Sequence, residues 1–105
     1  MAQKEARFGP GEIIRHSRFG YRGVIVDVDA VFSGTDEWYE RVALSHPPRD
    51  APWYHVLVDG ADHVTYVAER HLETEDDRSP VRHPLLERFF DRIESGVYVR
   101  DQDLN

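Results

Sequence analysis

The hydrophobic pattern predicts several short β-strands before residue 75. The clearest is VIVDVD (residues 24–29), in which three valines alternate with Ile25, Asp27 and Asp29. Because successive side chains of a strand point to opposite faces, this alternation predicts a strand with its valine face on a core. Shorter strands are expected at 12–15, 52–58 and 63–69, with a brief one near His71 and Leu72, separated by turns rich in glycine.

Two other segments have helical spacing. The connection 33–48 carries Trp38 and Val42 four residues apart and ends at two prolines, which predicts about two turns of helix. Further on, residues 84–95 place apolar side chains at i, i+3, i+4 and i+7, namely Leu86, Phe89, Phe90 and Ile93, followed by Gly96. This is the pattern of an amphipathic helix, and its apolar stripe is expected to pack on the sheet.

These elements predict a single mainly β domain over residues 1–105. Four or five short strands with one terminal helix are typical of a small SH3-like fold, a strongly bent antiparallel sheet or partly open barrel. The barrel is expected to occupy about residues 8–75 and the C-terminal amphipathic helix about residues 84–95.

Composition narrows the function classes. The 105 residues contain no cysteine, which excludes disulfides and thiolate metal sites. The six histidines are not spaced as a recognised ligand pair, and the chain has no nucleophile elbow and no phosphate-cradling glycine motif. We therefore predict no enzyme activity, no cofactor and no metal. No apolar segment has the length of a signal peptide or a membrane span, so a cytoplasmic protein is expected.

The net charge of −7 disfavours broad binding to nucleic acid, yet it is unevenly distributed. Residues 1–24 have a local charge of +3, and the rest of the chain sums to −10. The candidate DNA-binding residues cluster around the first predicted hairpin: they are Arg15, His16, Arg18 and Arg22. Ordinary solvated surface arginines are the alternative interpretation.

The segment PWYHVLVDG raises the question of which ring is buried. Tyr54 alternates with Val56 and Val58, so we assign it to the interior, facing Val24, Val26 and Val28. Trp53 and His55 would then point outward, either beneath the terminal helix or at a surface that binds a partner.

Several motifs in order resemble a known family: HSRFGYRGVIVDVD, APWYHVLVD, HVTYVAERHLE and the closing HPLLERFF and GVYVRDQDLN. The chain resembles the bacterial heat-shock protein Q family, also described as hemimethylated-DNA-binding or YccV-like proteins. The resemblance extends from Phe8 to Asn105, with residues 33–49 the least similar part.

The resemblance implies an SH3-like β-barrel and a regulatory, non-enzymatic role in a bacterial cytosol. Two activities are attached to the family: binding of hemimethylated DNA near the replication origin, and promotion of proteolysis by an ATP-dependent protease of the Lon type. An adaptor of that protease, acting on unfolded or regulatory proteins including the replication initiator, is predicted first, because Trp53 and His55 offer a contact surface. Hemimethylated-DNA binding is the alternative, and a homo-oligomer is left open.

Overall fold

The computed structural model describes residues 5–101, which form seven β-strands and two short α-helices. The strands are β1 (Ile13–His16), β2 (Arg22–Asp29), β3 (Trp53–Val58), β4 (Val64–Ala68), β5 (Leu72–Thr74), β6 (Arg92–Glu94) and β7 (Val97–Val99). The helices are α1 (Asp36–Val42) and α2 (Leu86–Phe89), and a 3-10 turn covers Glu69–His71. Within the described range, none of the helices has the length and apolar character needed to cross a bilayer.

Five strands form one antiparallel sheet in the order β4-β3-β2-β1-β5, and β6 pairs only with β7. Leu72 on one edge of the large sheet and Val67 on the other belong to the same buried cluster, together with Tyr54 at the centre. Side chains of opposite edges can meet only if the sheet curves strongly. The predicted mainly β class and bent antiparallel sheet are confirmed, and β4 and β5 remain edges of a sheet that does not close into a barrel.

The interior face was assigned correctly for Tyr54 and Val56 of β3, but Val58 lies outside the buried clusters and β2 was assigned correctly only in part. Tyr54 and Val56 are fully buried inside the curved sheet, as predicted. On β2, however, Ile25 points into that cluster and Val24 into a second cluster on the other face. A β-bulge between Ile25 and Asp27 then changes the alternation and turns Val28 inward. The sequence pattern could not show which of the two residues faces the interior, because Val24 and Ile25 are both apolar and both buried.

The predicted C-terminal helix over 84–95 is wrong in extent. Only α2 is helical, and the chain then turns into the hairpin β6–β7, whose turn residues Ser95 and Gly96 have φ of 50° and 78°. Two consecutive positive φ values are typical of a tight hairpin turn. Gly96 therefore belongs to this turn and does not cap a helix. The apolar stripe does pack on the sheet as expected: Leu86, Phe89, Phe90 and Ile93 lie against the cluster of Val24, Leu57 and Tyr98.

The helical connection between β2 and β3 is confirmed. Thr35 caps α1, since its Oγ1 accepts a hydrogen bond from the Trp38 amide at 3.1 Å, and Asp36 and Glu37 follow in the first turn. Tyr39 on this helix is buried, and its hydroxyl donates to the Pro47 carbonyl at 2.6 Å. The helix is thereby held over one end of β3.

Candidate nucleic-acid interface

The turn between β1 and β2 (residues 17–20) is organised by the buried ring of His16. Its Nδ1 accepts hydrogen bonds from the amides of Arg18 and Phe19, at 3.1 and 3.2 Å. The Gly20 amide donates to the His16 carbonyl at 2.8 Å, and Gly20 has a φ of 76° that glycine adopts without strain. The turn is therefore ordered, and it holds the Phe19 ring 73% exposed.

A stack of rings continues beneath this turn. The His16 ring lies 4.6 Å from Phe19 and 5.6 Å from His71, in stacked geometry with both. Burial lowers the pKa of His16, and the neighbouring His71 and Arg18 add to the effect. Burial, with Arg70 and Arg18, likewise lowers the pKa of His71. Both imidazoles are therefore neutral at neutral pH.

A groove of about 460 Å³ runs beside this stack and along the edge strand β4. All five residues of β4 line it, with the β1–β2 turn on one side and the end of α1 and its following loop on the other. Its mouth carries the exposed apolar side chains of Phe19, Leu44, Val42 and Val64. Its described lining contains no carboxylate, although the chain has 20 of them.

Three exposed arginines, Arg7, Arg18 and Arg70, form what we call the arginine row. Arg18 lines the groove, and both Arg18 and Arg70 are close enough to His71 to disfavour its charged form. The Arg70 Nη2 donates to the Ser45 carbonyl at 2.7 Å, and Arg70 shares a smaller cavity of about 270 Å³ with Arg7. Glu69 lines that smaller cavity as well, and the three arginines outnumber it, so this side of the acidic molecule has a local excess of positive charge.

The four predicted DNA-binding residues are not brought together on one surface. Arg18 is exposed beside the groove, whereas His16 is only 5% exposed and acts within the turn. Arg15 points to the opposite face of the sheet, where it lies next to Glu73 in register and its Nε is 3.9 Å from the Glu73 carboxylate. His16 was predicted to be an exposed DNA contact, and this prediction is wrong. Successive strand residues point to opposite faces, so when Arg15 is exposed, His16 points to the buried face.

Arg22 is enclosed by acceptors and is also corrected as an exposed DNA contact. Its Nη1 donates to Asp59 at 2.8 Å, its Nη2 donates to the Asp77 carbonyl at 3.1 Å and to that of Ser79, and its Nε lies 3.9 Å from Glu75. Only 16% of the side chain is exposed. Spacing alone cannot distinguish such an internal cation from a surface one. Of the basic N-terminal residues, Lys4 lies outside the described range.

Trp53 is buried, which corrects its predicted place on a contact surface. It is 1% exposed and packs with Phe32, Trp38 and Tyr39, while its Nε1 donates to the Pro48 carbonyl at 3.0 Å. The outward direction of the side chain was right, but at Trp53 this face is covered by α1, whereas the terminal segment covers it at Leu57.

His55 is partly exposed on the same face, beside two carboxylates. Its Nε2 lies 3.1 Å from Asp29, which also accepts a hydrogen bond from the Tyr66 hydroxyl at 2.7 Å. Burial opposes ionisation of Asp29, but these hydrogen bonds outweigh it and lower its pKa, whereas burial and Asp29 raise the pKa of Tyr66 to about 12. With Asp27, the group presents three potential ligand atoms within 4.8 Å, a proximity that the β-bulge creates and that residue spacing did not predict.

Sequence reasoning missed most of the groove. Leu44, which follows α1 and is 75% exposed, was not predicted to line a site, and His71 was predicted only as part of a strand. The one sequence signal for the groove was Phe19, an aromatic residue in a predicted turn. A ring at such a position is expected to be exposed, because little of the chain lies close enough to a turn to cover it.

One family comparison covers most of the chain. The model of the family described as hemimethylated DNA-binding protein YccV like matches residues 6–97. The match spans the whole curved sheet, the β1–β2 turn, α1 and the groove. It confirms the family resemblance seen in the sequence motifs, and the chain belongs to the YccV-like family of hemimethylated DNA-binding proteins.

Proposed function

We propose that this protein binds hemimethylated DNA through the side of the sheet that carries the groove and the arginine row. The observation that carries the proposal is the family match over residues 6–97. A family match does not identify a binding surface, and local charge and side-chain exposure favour the groove side. We propose a binding role without catalysis, as expected from the sequence.

Charge limits where a duplex can approach. A molecule of net charge −7 repels DNA overall, and affinity for the phosphates must come from local arginines and lysines. The opposite face near Arg22 gathers Asp59, Glu75 and Asp77, whose carboxylates would repel a phosphate backbone. The groove side is the favourable approach, because the described lining of the groove has no carboxylate and that of the smaller cavity has one, Glu69, against the three arginines of the row.

The β1–β2 turn supports a contact of defined geometry. Arg18 and Phe19 are held by the two hydrogen bonds to His16, so their backbone need not be ordered on binding. Preorganisation of this kind reduces the entropy cost of association. Arg18 is suited to a phosphate or a guanine edge, and the exposed Phe19 ring to an apolar or stacking contact with bases.

The protease-adaptor role predicted first receives no support from the family description, which names DNA alone. It depended on exposed rings at Trp53 and His55, of which Trp53 is buried and His55 is partly exposed. The adaptor role therefore stays an untested prediction, and DNA binding becomes the leading proposal.

The proposal is tested by fluorescence anisotropy with labelled duplexes of one sequence in three states: unmethylated, methylated on one strand at adenine N6, and methylated on both. A fourth duplex carries 5-methylcytosine on one strand. We expect the tightest binding for one hemimethylated duplex, with a linear decrease of log affinity against log salt. Three phosphate contacts would give a slope of about −2.7.

Arg18→Ala and Arg15→Ala form a matched pair, since both remove one exposed arginine from the same hairpin. Arg18→Ala is expected to weaken binding and to reduce the salt slope by about 0.9, whereas Arg15→Ala should change neither. A larger effect of Arg15→Ala would place the interface on the opposite face. Equal affinity for all four duplexes would contradict recognition of hemimethylation.

A further inference from the structure

We infer that the groove along β4 accepts one unstacked base of the bound DNA. The inference rests on the proposed function and names the part of the ligand that the groove takes. Its volume of about 460 Å³ lies in the range of about 300–1,000 Å³ usual for small-molecule sites, far more than an exposed methyl group needs. A base that stays inside the duplex would leave this space unused.

The walls have the chemistry that a base requires. Phe19 stacks on His16 at 4.6 Å and keeps 73% of its surface exposed, with the Arg18 Cζ 5.9 Å from its ring centroid, so a base can stack on the exposed ring area beside a guanidinium. Trp38 and Tyr66 line the groove further in, with their ring centroids 5.7 Å apart. Aromatic platforms of this type bind unstacked bases in single-stranded nucleic acid because every base has a π-face.

The charge around the groove distinguishes a nucleotide from a purely apolar occupant. The described lining has no carboxylate, its two histidines are neutral, and Arg18 is its one charged side chain, so the groove is largely apolar and disfavours a cation. Arg18 stands beside it and Arg70 close by, placed to contact the phosphates that flank an extruded base. Apolar side chains at the mouth, Val42 and Leu44, offer contact for a base methyl group.

The experiment uses hemimethylated duplexes in which 2-aminopurine replaces one base at a time at and around the methylated position. Fluorescence of this analogue rises when it unstacks. We expect the full-length protein to produce a severalfold rise at one position only. We also expect a duplex with a mismatch at that position to bind about tenfold more tightly, since its base is already partly unstacked.

Two variants link the signal to the groove. Phe19→Ala combined with Leu44→Ser should abolish the fluorescence rise while the protein remains folded, because both side chains are more than 70% exposed. Val97→Ala, an exposed apolar residue of β7, is the control and should leave the rise unchanged. Backbone NMR shifts on adding DNA should include Phe19, Leu44 and Tyr66.

The outcomes separate this inference from the proposed function. Selective binding of a hemimethylated duplex with no fluorescence rise at any position would overturn the base-binding groove and leave DNA binding intact. The same holds if DNA causes no NMR shifts in the groove, which would then be free for another occupant, such as an extended peptide paired with β4. Failure to bind any duplex would overturn both.

Discussion

Arg22 is a basic residue that stabilises the fold by pairing with Asp59 and Glu75. We expect Arg22→Ala to lower the free energy of unfolding by about 3 kcal/mol, because Asp59 and the buried Glu75 would lose their shared counter-ion. Urea unfolding followed by circular dichroism measures the change. Arg15→Ala, half exposed and 3.9 Å from Glu73, is the control and should cost less than about 0.5 kcal/mol. Equal costs for both would show that Arg22 is an ordinary surface residue.

His16 gives stability a dependence on pH. At about pH 7.5 the ring is neutral in both the folded and the unfolded chain. Below about pH 6.5 the unfolded chain takes up a proton, while burial keeps the pKa of the folded ring lower. The unfolded state then binds more protons, so the free energy of unfolding must decrease as the pH falls. Urea unfolding at a series of pH values between about 7.5 and 5 measures the decrease.

Two variants isolate this histidine from other titrating groups. His16→Asn retains an acceptor for the turn amides but does not titrate, so its stability should fall less steeply with decreasing pH than that of the wild type. His63→Gln removes an exposed histidine, 73% accessible at its side chain, and should leave the wild-type slope unchanged. A wild-type slope in His16→Asn would exclude His16 as the source.

At the element scale, the docking of the β6–β7 hairpin depends on Gly11. Its amide donates to the Ile25 carbonyl at 2.8 Å and its carbonyl accepts from the Tyr98 amide at 2.9 Å, at a φ of 94°. A Cβ there would overlap the Tyr98 carbonyl. Gly11→Ala should therefore lower the free energy of unfolding by about 3 kcal/mol, from backbone strain and steric overlap together. Thermal and urea unfolding measure the change.

Gly60→Ala is the matched control, since Gly60 has a φ of 79° but open space around its Cβ position. It carries the strain of a left-handed backbone without the overlap, and should cost about 1–2 kcal/mol. If the two substitutions cost the same, the contact with Tyr98 does not hold the hairpin.

The elements that the sequence predicted correctly are those determined by local pattern. The hairpin of β3 and β4 follows from alternation on both sides of Asp59 and Gly60, and α1 from the helical spacing of Trp38 and Val42 before two prolines. The prediction for the C-terminal segment was wrong in extent, because the apolar spacing from Leu86 to Ile93 fits a long helix and also fits a helical turn followed by a strand. Over eight residues, the periodicity of apolar side chains does not distinguish these two structures. Packing against Val24 and Leu57 determines which of them forms.

The candidate site was less predictable than the fold. Arg18 could be identified because it lies in a predicted turn, but the fate of Arg22 depends on Asp59, 37 residues away. The groove needs Phe19, Leu44 and β4 to meet, and each comes from a different part of the chain. Such non-local contacts have no signature in a single sequence.

In the whole molecule, the segment that covers the sheet and the surface that we propose binds DNA lie in different places. One face of the curved sheet is covered by residues 81–98, whose apolar side chains complete a buried cluster with Ile13, Val24 and Leu57 of the sheet. The edge at β4 remains open, with exposed apolar side chains and arginines around it. Covering one face stabilises the sheet, while the edge at β4 keeps apolar side chains such as Val64 that folding leaves exposed.

This separation predicts that the position of positive charge, and not its total, determines affinity for DNA. Arg18→Ala with Arg70→Ala, and Arg88→Ala with Arg100→Ala, each lower the net charge from −7 to −9. Only the first pair belongs to the arginine row, so it should reduce the salt slope by about 1.8, while the second pair keeps the wild-type slope. Anisotropy titrations at several salt concentrations measure both. Equal losses in the two double variants would mean that the acidic molecule responds to overall charge, and the arginine row would then have no special part in binding.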